Sequence, residues 1–202
     1  KFYKENVMNW REVLPKNVLD QMLPHKTNPN YKRPSFVDIF AEILLVMAKR
    51  SSCLFAEIGG IIIDEEENRI IASGYNGPPA GCDNCYEVGC ARIENGEIKK
   101  GGGRCRGLHG ELNAFLHATK YGIKTKGLSM VASFKPCFEC SKMISNSGLK
   151  RIYYLFEYKR VGEDTRPEEI LKKAKIETVH YRSAYLEELS DYKRIAKVLE
   201  NF

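Results

Sequence analysis

The 202-residue sequence has no apolar run long enough to cross a membrane. Its longest apolar stretches, residues 39–47 and 58–63, are interrupted or too short, and its first residues lack the pattern of a signal peptide. Internal repeats and low-complexity segments are also missing. We therefore expect a cytoplasmic globular protein without a membrane partner, built around one domain with a real hydrophobic core.

Concentrated charge is missing as well. The formal net charge of +6 suits polyanionic partners, from nucleotides to nucleic acids, but no block of five or more basic residues occurs. Dispersed basic residues are typical of a solvated surface. Nucleic acid is therefore an alternative partner that the sequence does not favour.

The seven cysteines carry more information than the charge. An odd count without a signal peptide argues against a disulfide framework. In a reducing compartment, clustered thiols are more often metal ligands or nucleophiles, which makes these cysteines candidates for a metal site.

Strand and helix patterns alternate along most of the chain. Residues 1–34, interrupted by four prolines, predict an irregular arm with a short helix, and Ser35 with Asp38 predicts a capping box at the start of a helix. Residues 74–106 predict a long ordered loop. The alternation predicts an α/β layer structure with partly parallel strands. The predicted strands are 57–63, 69–73, 128–133, 151–156 and 177–181, and the predicted helices are 36–50, 110–121, 137–147, 166–174 and one from 186 onward.

One pair of motifs predicts a metal centre. His109 and Glu111 form an H-x-E motif, and Cys137 and Cys140 lie within a P-C-x-x-C motif that begins 25 residues after the glutamate. One imidazole and two thiolates give zinc three ligands and keep its fourth position open for water. Both motifs lie at predicted helix starts, where the helix dipole favours the thiolate form.

Glu111 is not needed as a ligand. Beside a zinc-bound water it would take the proton of that nucleophile and deliver protons to the ring nitrogen and the leaving amine. The combination H-x-E…P-C-x-x-C is the signature of zinc nucleobase deaminases. A purely structural zinc is the alternative, and the open fourth position argues against it.

The sequence resembles the deoxycytidylate (dCMP) deaminase family, including its bacterial relatives encoded with competence genes. The resemblance implies a three-layer α/β/α sandwich with a mixed, mainly five-stranded sheet, which is the cytidine deaminase-like fold. It also implies conversion of dCMP to dUMP and ammonia by a homo-oligomer, often a hexamer, that dCTP and dTTP regulate in some members. It rests on Arg33-Pro34-Ser35, Lys49 through Cys53, Gly74 through Gly81, Gly89-Cys90, Arg104-Cys105, Glu111 through Ala114, Pro136 through Ile144 and Gly148 through Arg151.

The same resemblance implies substrate contacts for Asn76 and Tyr158. The sequence departs from the family at Gly110, where alanine is usual, and at Lys135, where a small or apolar residue is usual. We expect Gly110 to be tolerated sterically, although it loosens the helix start by up to about 1 kcal/mol. Lys135 is a candidate phosphate-binding residue, or a sign of a different substrate.

A second, structural zinc is predicted in the long loop. Four thiols bound to one metal ion would cross-link a segment that is too long to keep a fixed conformation by itself. The family resemblance selects Cys53, Cys85, Cys90 and Cys105. Spacing alone makes Cys82 with Cys85 an equally acceptable pair.

These features divide the chain into an N-terminal extension (1–33), a deaminase domain (34–182) and a C-terminal helix (183–202). The extensions would serve oligomer contacts or recognition. The alternatives to dCMP are the same chemistry on another pyrimidine nucleotide or a tRNA base, and a zinc-stabilised binding subunit without turnover.

Overall fold

A computed structural model describes residues 9–99, 104–157 and 165–199. The chain divides into two units, Lys1–Pro34 and Ser35–Phe202. The first unit holds three short helices rather than the one predicted: α1 (Trp10–Val13), α2 (Lys16–Leu19) and α3 (Pro24–Thr27), none with a buried residue. Among the described helices, none combines the length and apolarity needed to span a membrane.

The second unit is built on a mixed sheet. The strands are β1 (Gly59–Asp64), β2 (Arg69–Tyr75), β3 (Ile93–Glu94), β4 (Glu97–Ile98), β5 (Ser129–Phe134), β6 (Arg151–Phe156) and β7 (Glu177–His180). The main sheet has the strand order β2-β1-β5-β6-β7, and β3 and β4 form a separate short hairpin. Strand β1 is antiparallel to β2 and β5, whereas β5, β6 and β7 are parallel. The mixed five-stranded sheet is confirmed.

In the described part of the second unit, seven helices accompany these strands: α4 (Phe36–Ala48), α5 (Cys85–Val88), α6 (Gly110–Lys120), α7 (Phe138–Ser145), α8 (Arg166–Lys173), α9 (Ala184–Glu188) and α10 (Ser190–Leu199). Helix α4 begins at the predicted capping box: Ser35 Oγ accepts from Asp38 N, and Asp38 Oδ2 accepts from Ser35 N. The loop predicted over 74–106 contains α5 and the β3-β4 hairpin.

Two apolar cores cover the two faces of the sheet. Because side chains alternate along a strand, Ile61 and Ile63 enter one core while Ile62 enters the other. The first core contains Leu44 of α4 together with residues of α9 and α10, and the second contains residues of α6, α7 and α8. The three-layer α/β/α arrangement is thereby confirmed.

The C-terminal segment differs from its prediction. Residues 183–202 were predicted as one helix outside the domain, but the described part forms two helices, α9 and α10. Leu186, Tyr192 and Ile195 from these helices are buried in the first core, because that face of the sheet needs more apolar cover than α4 supplies. The segment is therefore part of the folding unit.

Candidate active site

Three potential metal ligands meet at two helix starts. His109 is the N-cap residue of α6, Cys137 is the N-cap residue of α7, and Cys140 lies in the first turn of α7. The His109 Nδ1 atom lies 3.3 Å from the Sγ atom of each cysteine. All the potential ligand atoms of the group lie within 4.8 Å of one another.

The spacing of these atoms fits a tetrahedral zinc ion. Bonds of about 2.0 Å to nitrogen and about 2.3 Å to sulfur at tetrahedral angles would set N and S about 3.5 Å apart, so each N···S distance of 3.3 Å needs to open by only about 0.2 Å. The donor set, one imidazole and two thiols, is one that zinc prefers. With three protein ligands, one coordination position stays available.

Glu111 supplies a buried carboxyl group beside this set. Its side chain is 3% exposed, and its Oε2 atom has no hydrogen-bond partner among the described residues. Burial raises the pKa of Glu111 to about 7. A buried polar atom without a partner is costly and is typical of a functional group whose partner is a ligand or solvent.

The contact between the two thiols shifts their pKa values in opposite directions. A hydrogen bond from the Cys140 side chain is the largest influence that lowers the pKa of Cys137 to about 3, and His109 adds to it. The same Cys137–Cys140 contact, together with burial, raises the pKa of Cys140. The lowered pKa of Cys137 favours the thiolate form that a metal requires.

Glycines bring helix α6 close to the sheet and so fix the position of Glu111. A Cβ atom added at Gly60 would lie 2.9 Å from the Cα of Glu111, and one added at Gly74 would lie 2.4 Å from the backbone N of Ala114. Gly110 is equally confined, because its Cβ would lie 2.7 Å from the Ile58 carbonyl oxygen. The expectation that Gly110 only loosens the helix start therefore misses its role: it allows close packing against β1.

The glycine-rich loop after β2 joins the segment that carries His109. Gly77 and Leu108 exchange two backbone hydrogen bonds, of 3.2 and 2.8 Å. Asn76 is buried, and its side chain bonds the backbone of Ala56 and Ile58 at 3.0 and 2.9 Å. Substrate contact by Asn76 stays a prediction, and its observed bonds hold the loop in place.

The two other predicted substrate residues have different outcomes. Lys135 forms ion pairs with Glu157 and Glu168 and lies 5.8 Å from the ring centroid of Tyr154, so its charge is matched by carboxylates in this structure. Its contact with phosphate stays a prediction. Tyr158 lies outside the described residues.

The cysteines predicted to hold a second zinc do not form a group of potential metal ligands among the described residues. Within the described ranges, His109, Cys137 and Cys140 form the one group of three or more potential ligands. The thiols of Cys53, Cys85, Cys90 and Cys105 do not form another, and Cys82 is exposed.

Two features of this site were missed from the sequence. The confined position of Gly60 had a signal, the pair of glycines at the head of an apolar strand, which marks a close backbone approach. The contact of Phe138 with Arg166, whose guanidinium carbon lies 4.2 Å from the ring centroid, had none, because the two residues are 28 positions apart.

The mixed sheet, the His-Cys-Cys group and the buried glutamate together define the class of zinc-dependent nucleobase deaminases. Residues 36–156 match the family model for the cytidine and deoxycytidylate deaminase zinc-binding region. The chain belongs to that family.

Deoxycytidylate deaminases are prominent among its relatives. The enzyme of Mycobacterium phage D29 is 30% identical over 128 residues, which cover 60% of this chain and 95% of the phage protein. That of Schizosaccharomyces pombe is 34% identical over 155 residues, and the ComE operon protein 2 of Bacillus subtilis is 36% identical over 115. The chain spans 46% and 56% of the lengths of these last two proteins, about half of each.

A solved structure agrees with this relationship. The dCMP deaminase of cyanophage S-TIM5, in complex with dCMP and dUMP, superposes with a TM-score of 0.59 at 26% identity. The superposition covers 74% of this chain and 99% of the phage chain.

Proposed function

We propose that this protein hydrolyses the exocyclic amine of dCMP, giving dUMP and ammonia. The observation that carries the proposal is the Glu111 carboxyl group, buried and with an unpaired oxygen, beside the His109-Cys137-Cys140 group. Support for the substrate comes from relatives that are deoxycytidylate deaminases and from the similar phage enzyme that binds dCMP and dUMP.

The chain's own residues account for the proton transfers of this reaction. His109, Cys137 and Cys140 would hold the zinc ion, which would supply a water molecule of lowered pKa as the nucleophile for C4 of cytosine. Glu111 accepts a proton from that water and donates to ring atom N3. It then carries the second proton to the exocyclic nitrogen, so that the C4–N bond breaks and ammonia leaves. Its pKa of about 7 suits a group that must both accept and donate protons near neutral pH.

A substrate panel tests the proposal. Ammonia release would be measured with dCMP, CMP, dCTP, deoxycytidine and tRNA, using zinc-loaded protein. We expect turnover of dCMP to exceed that of the other substrates clearly. Preferred turnover of CMP or tRNA would reassign the substrate, and full zinc occupancy without product from any of them would indicate a binding subunit.

We also propose a second, structural zinc on Cys53, Cys85, Cys90 and Cys105, with Cys82 as the alternative member. The proposal is supported by five thiols within residues 53–105, in a region whose only regular elements between Tyr75 and Gly110 are α5 and the short β3-β4 hairpin among the described residues. Elemental analysis of protein purified without added zinc should give about two zinc atoms per chain, falling by one in Cys85→Ser. A value near one for the unchanged protein would refute the second site.

The remaining predictions are proposals of the same kind. We propose a cytoplasmic homo-oligomer, in which residues 1–33 supply subunit contacts. Sedimentation of the full chain and of a chain beginning at residue 34 tests this. A monomer in both cases would exclude it.

A further inference from the structure

The side chain of Asn113 joins helix α6 to the end of strand β2. Asn113 lies two residues after Glu111 and is half-buried. Its Nδ2 atom donates a 2.8 Å hydrogen bond to the carbonyl oxygen of Tyr75, the last residue of β2. The helix turn that carries the buried glutamate is therefore bonded to the sheet by a side chain of its own.

A second link joins the segment after β2 to the chain just before α6. Gly77 and Leu108 exchange two backbone hydrogen bonds, of 3.2 and 2.8 Å. Leu108 directly precedes the potential metal ligand His109, whereas Asn113 follows Glu111. The segment after β2 is thus bonded to α6 and its approach on both sides of these two functional residues.

The acceptor of the Asn113 bond is held in place by its neighbours. Tyr75 pairs with Gly59 of β1. Asn76, the next residue, bonds Ile58 through both its backbone N, at 2.9 Å, and its side chain, at 2.9 Å, and its side chain also bonds Ala56. The carbonyl of Tyr75 is therefore a fixed point against which α6 is set.

The hydrogen bond restrains α6 in a way that its close packing does not. The contacts at Gly60, Gly74 and Gly110 limit how far α6 lies from the sheet. A packing contact is a sum of small attractions between atom pairs, whereas a hydrogen bond weakens steeply as its angle closes. The bond from Asn113 therefore restrains the rotation of the turn, which sets the direction of the Glu111 side chain.

We propose that Asn113 is a positioning residue for Glu111. Its bond to Tyr75 holds the Glu111 carboxyl group beside the His-Cys-Cys group, in the orientation that proton transfer needs. The inference rests on the proposed function, because the proton transfers belong to that reaction. Asn113 acts through Glu111 and is assigned no contact with substrate or metal.

The first test removes the donor in Asn113→Ala and measures kcat and KM for dCMP with zinc-loaded protein. We expect kcat to fall by about 10-fold, because a misplaced carboxyl group slows proton transfer. KM should stay within about 2-fold and zinc content should not change, since neither depends on the direction of Glu111. Asn113→Gln keeps an amide donor and should recover part of kcat. A higher KM with unchanged kcat in Asn113→Ala would overturn the proposal.

A double-mutant cycle distinguishes positioning of Glu111 from a general loss of stability. In the Glu111→Gln background there is no proton-accepting carboxylate to orient, so Asn113→Ala should lower the residual kcat by less than about 2-fold. An equal fall of kcat in both backgrounds would refute the role in positioning. Asn113→Asp keeps the shape of the side chain without its donor and repeats the cycle if the alanine variant does not fold.

Asn146→Ala is the matched control, because the Nδ2 atom of Asn146 also donates to a backbone carbonyl, that of Lys142, at 3.0 Å. Asn146 is the C-cap residue of α7, at the end of that helix opposite to Cys137. This variant should keep the kcat and KM of the unchanged protein.

Hydrogen exchange of the zinc-loaded protein gives a result that does not require turnover. The backbone amide hydrogens of Asn76, Gly77 and Leu108 should exchange about 10-fold faster in Asn113→Ala, because the bond that closes this segment against α6 is lost. Amide hydrogens of β6 should exchange at their usual rate. Unchanged exchange at all three positions would contradict the anchoring role. If the unchanged protein turns over none of the substrates in the panel, the proposed function fails while exchange still decides whether Asn113 anchors the segment.

Discussion

Glu111 is the residue on which the proposed chemistry depends, because among the described residues it alone adds a buried carboxyl group to the His109-Cys137-Cys140 site. Glu111→Gln keeps the size of the side chain but removes its ability to accept a proton. We expect ammonia release from dCMP to fall by about 10²- to 10⁴-fold, with zinc content unchanged. The control is Glu139→Gln, on the exposed side of α7, which should retain activity. Near-normal turnover in Glu111→Gln would exclude it as the proton carrier.

A second carboxylate determines how stability responds to acid. Glu65, in the turn between β1 and β2, accepts hydrogen bonds from Ser129, Tyr153 and Arg151 at 2.6, 2.6 and 2.9 Å. Burial alone would raise its pKa, but these bonds and Lys150 lower the pKa of Glu65 to about 2. Because the folded-state pKa lies below the ordinary value, the stabilisation is complete above about pH 5 and is lost as the pH falls toward 2.

Glu65→Gln should therefore lower the free energy of unfolding at pH 7 by about 2 kcal/mol. The difference from the unchanged protein should shrink as the pH falls from 5 toward 2, as measured by urea unfolding. Glu66→Gln, in the same turn but exposed, is the control. A difference that stays constant over that pH range would contradict the role of the charge.

Residue identities at the metal site could be predicted from the sequence because their chemistry is local. The helix starts and the spacing of Cys137 and Cys140 both follow from a few neighbouring positions. Lys135 shows where such reasoning ends: its partners, Glu157 and Glu168, come from other elements, and their proximity depends on how α8 packs. The hydrogen bonds between the Asn76 side chain and the backbone of residues 56–58 likewise depend on tertiary packing.

At the scale of elements, the contact between α6 and the sheet sets the geometry of the site. Gly74→Ala should force α6 away from β2, because the added Cβ would lie 2.4 Å from the Ala114 backbone N. We expect a loss of at least about 2 kcal/mol in the free energy of unfolding, since a clash with backbone is not relieved by a rotamer change. Zinc content and activity should fall with it.

Gly107→Ala is the control for that substitution. Its Cβ would meet its nearest atoms at 3.7 Å, which is ordinary contact. Equal stability of the two variants in urea unfolding would show that α6 does not need this close approach.

Element types were predictable because the apolar periodicities are strong. Strand β6 was predicted with its observed bounds, and α6 and α8 each within one residue. The strand order β2-β1-β5-β6-β7 was not predicted, since pairing between distant strands leaves no local pattern; the family resemblance implied only a mixed, mainly five-stranded sheet. The division of the C-terminal segment into α9 and α10 was also missed, because no local pattern indicated it.

At the scale of the molecule, the fold should be formed largely without metal. Both cores consist of apolar side chains, and Cys140 is the only one of the three ligands buried in either core. Removal of zinc with a chelator should abolish turnover while far-UV circular dichroism keeps the helix and sheet content. Zinc added back should restore activity. Loss of the circular dichroism signal on chelation would show that metal binding and folding of the sheet are coupled.

The burial of Leu186, Tyr192 and Ile195 has a consequence for how this family is delimited. Sequence similarity to the family model stops at residue 156, yet α4, β1 and β5 remain incompletely covered until α9 and α10 are in place. A chain shortened to the matched region would expose a large apolar surface to water and would therefore be prone to self-association. The unit that folds thus extends beyond the region that the family model matches, and α9 and α10 shield an apolar face of that region from water.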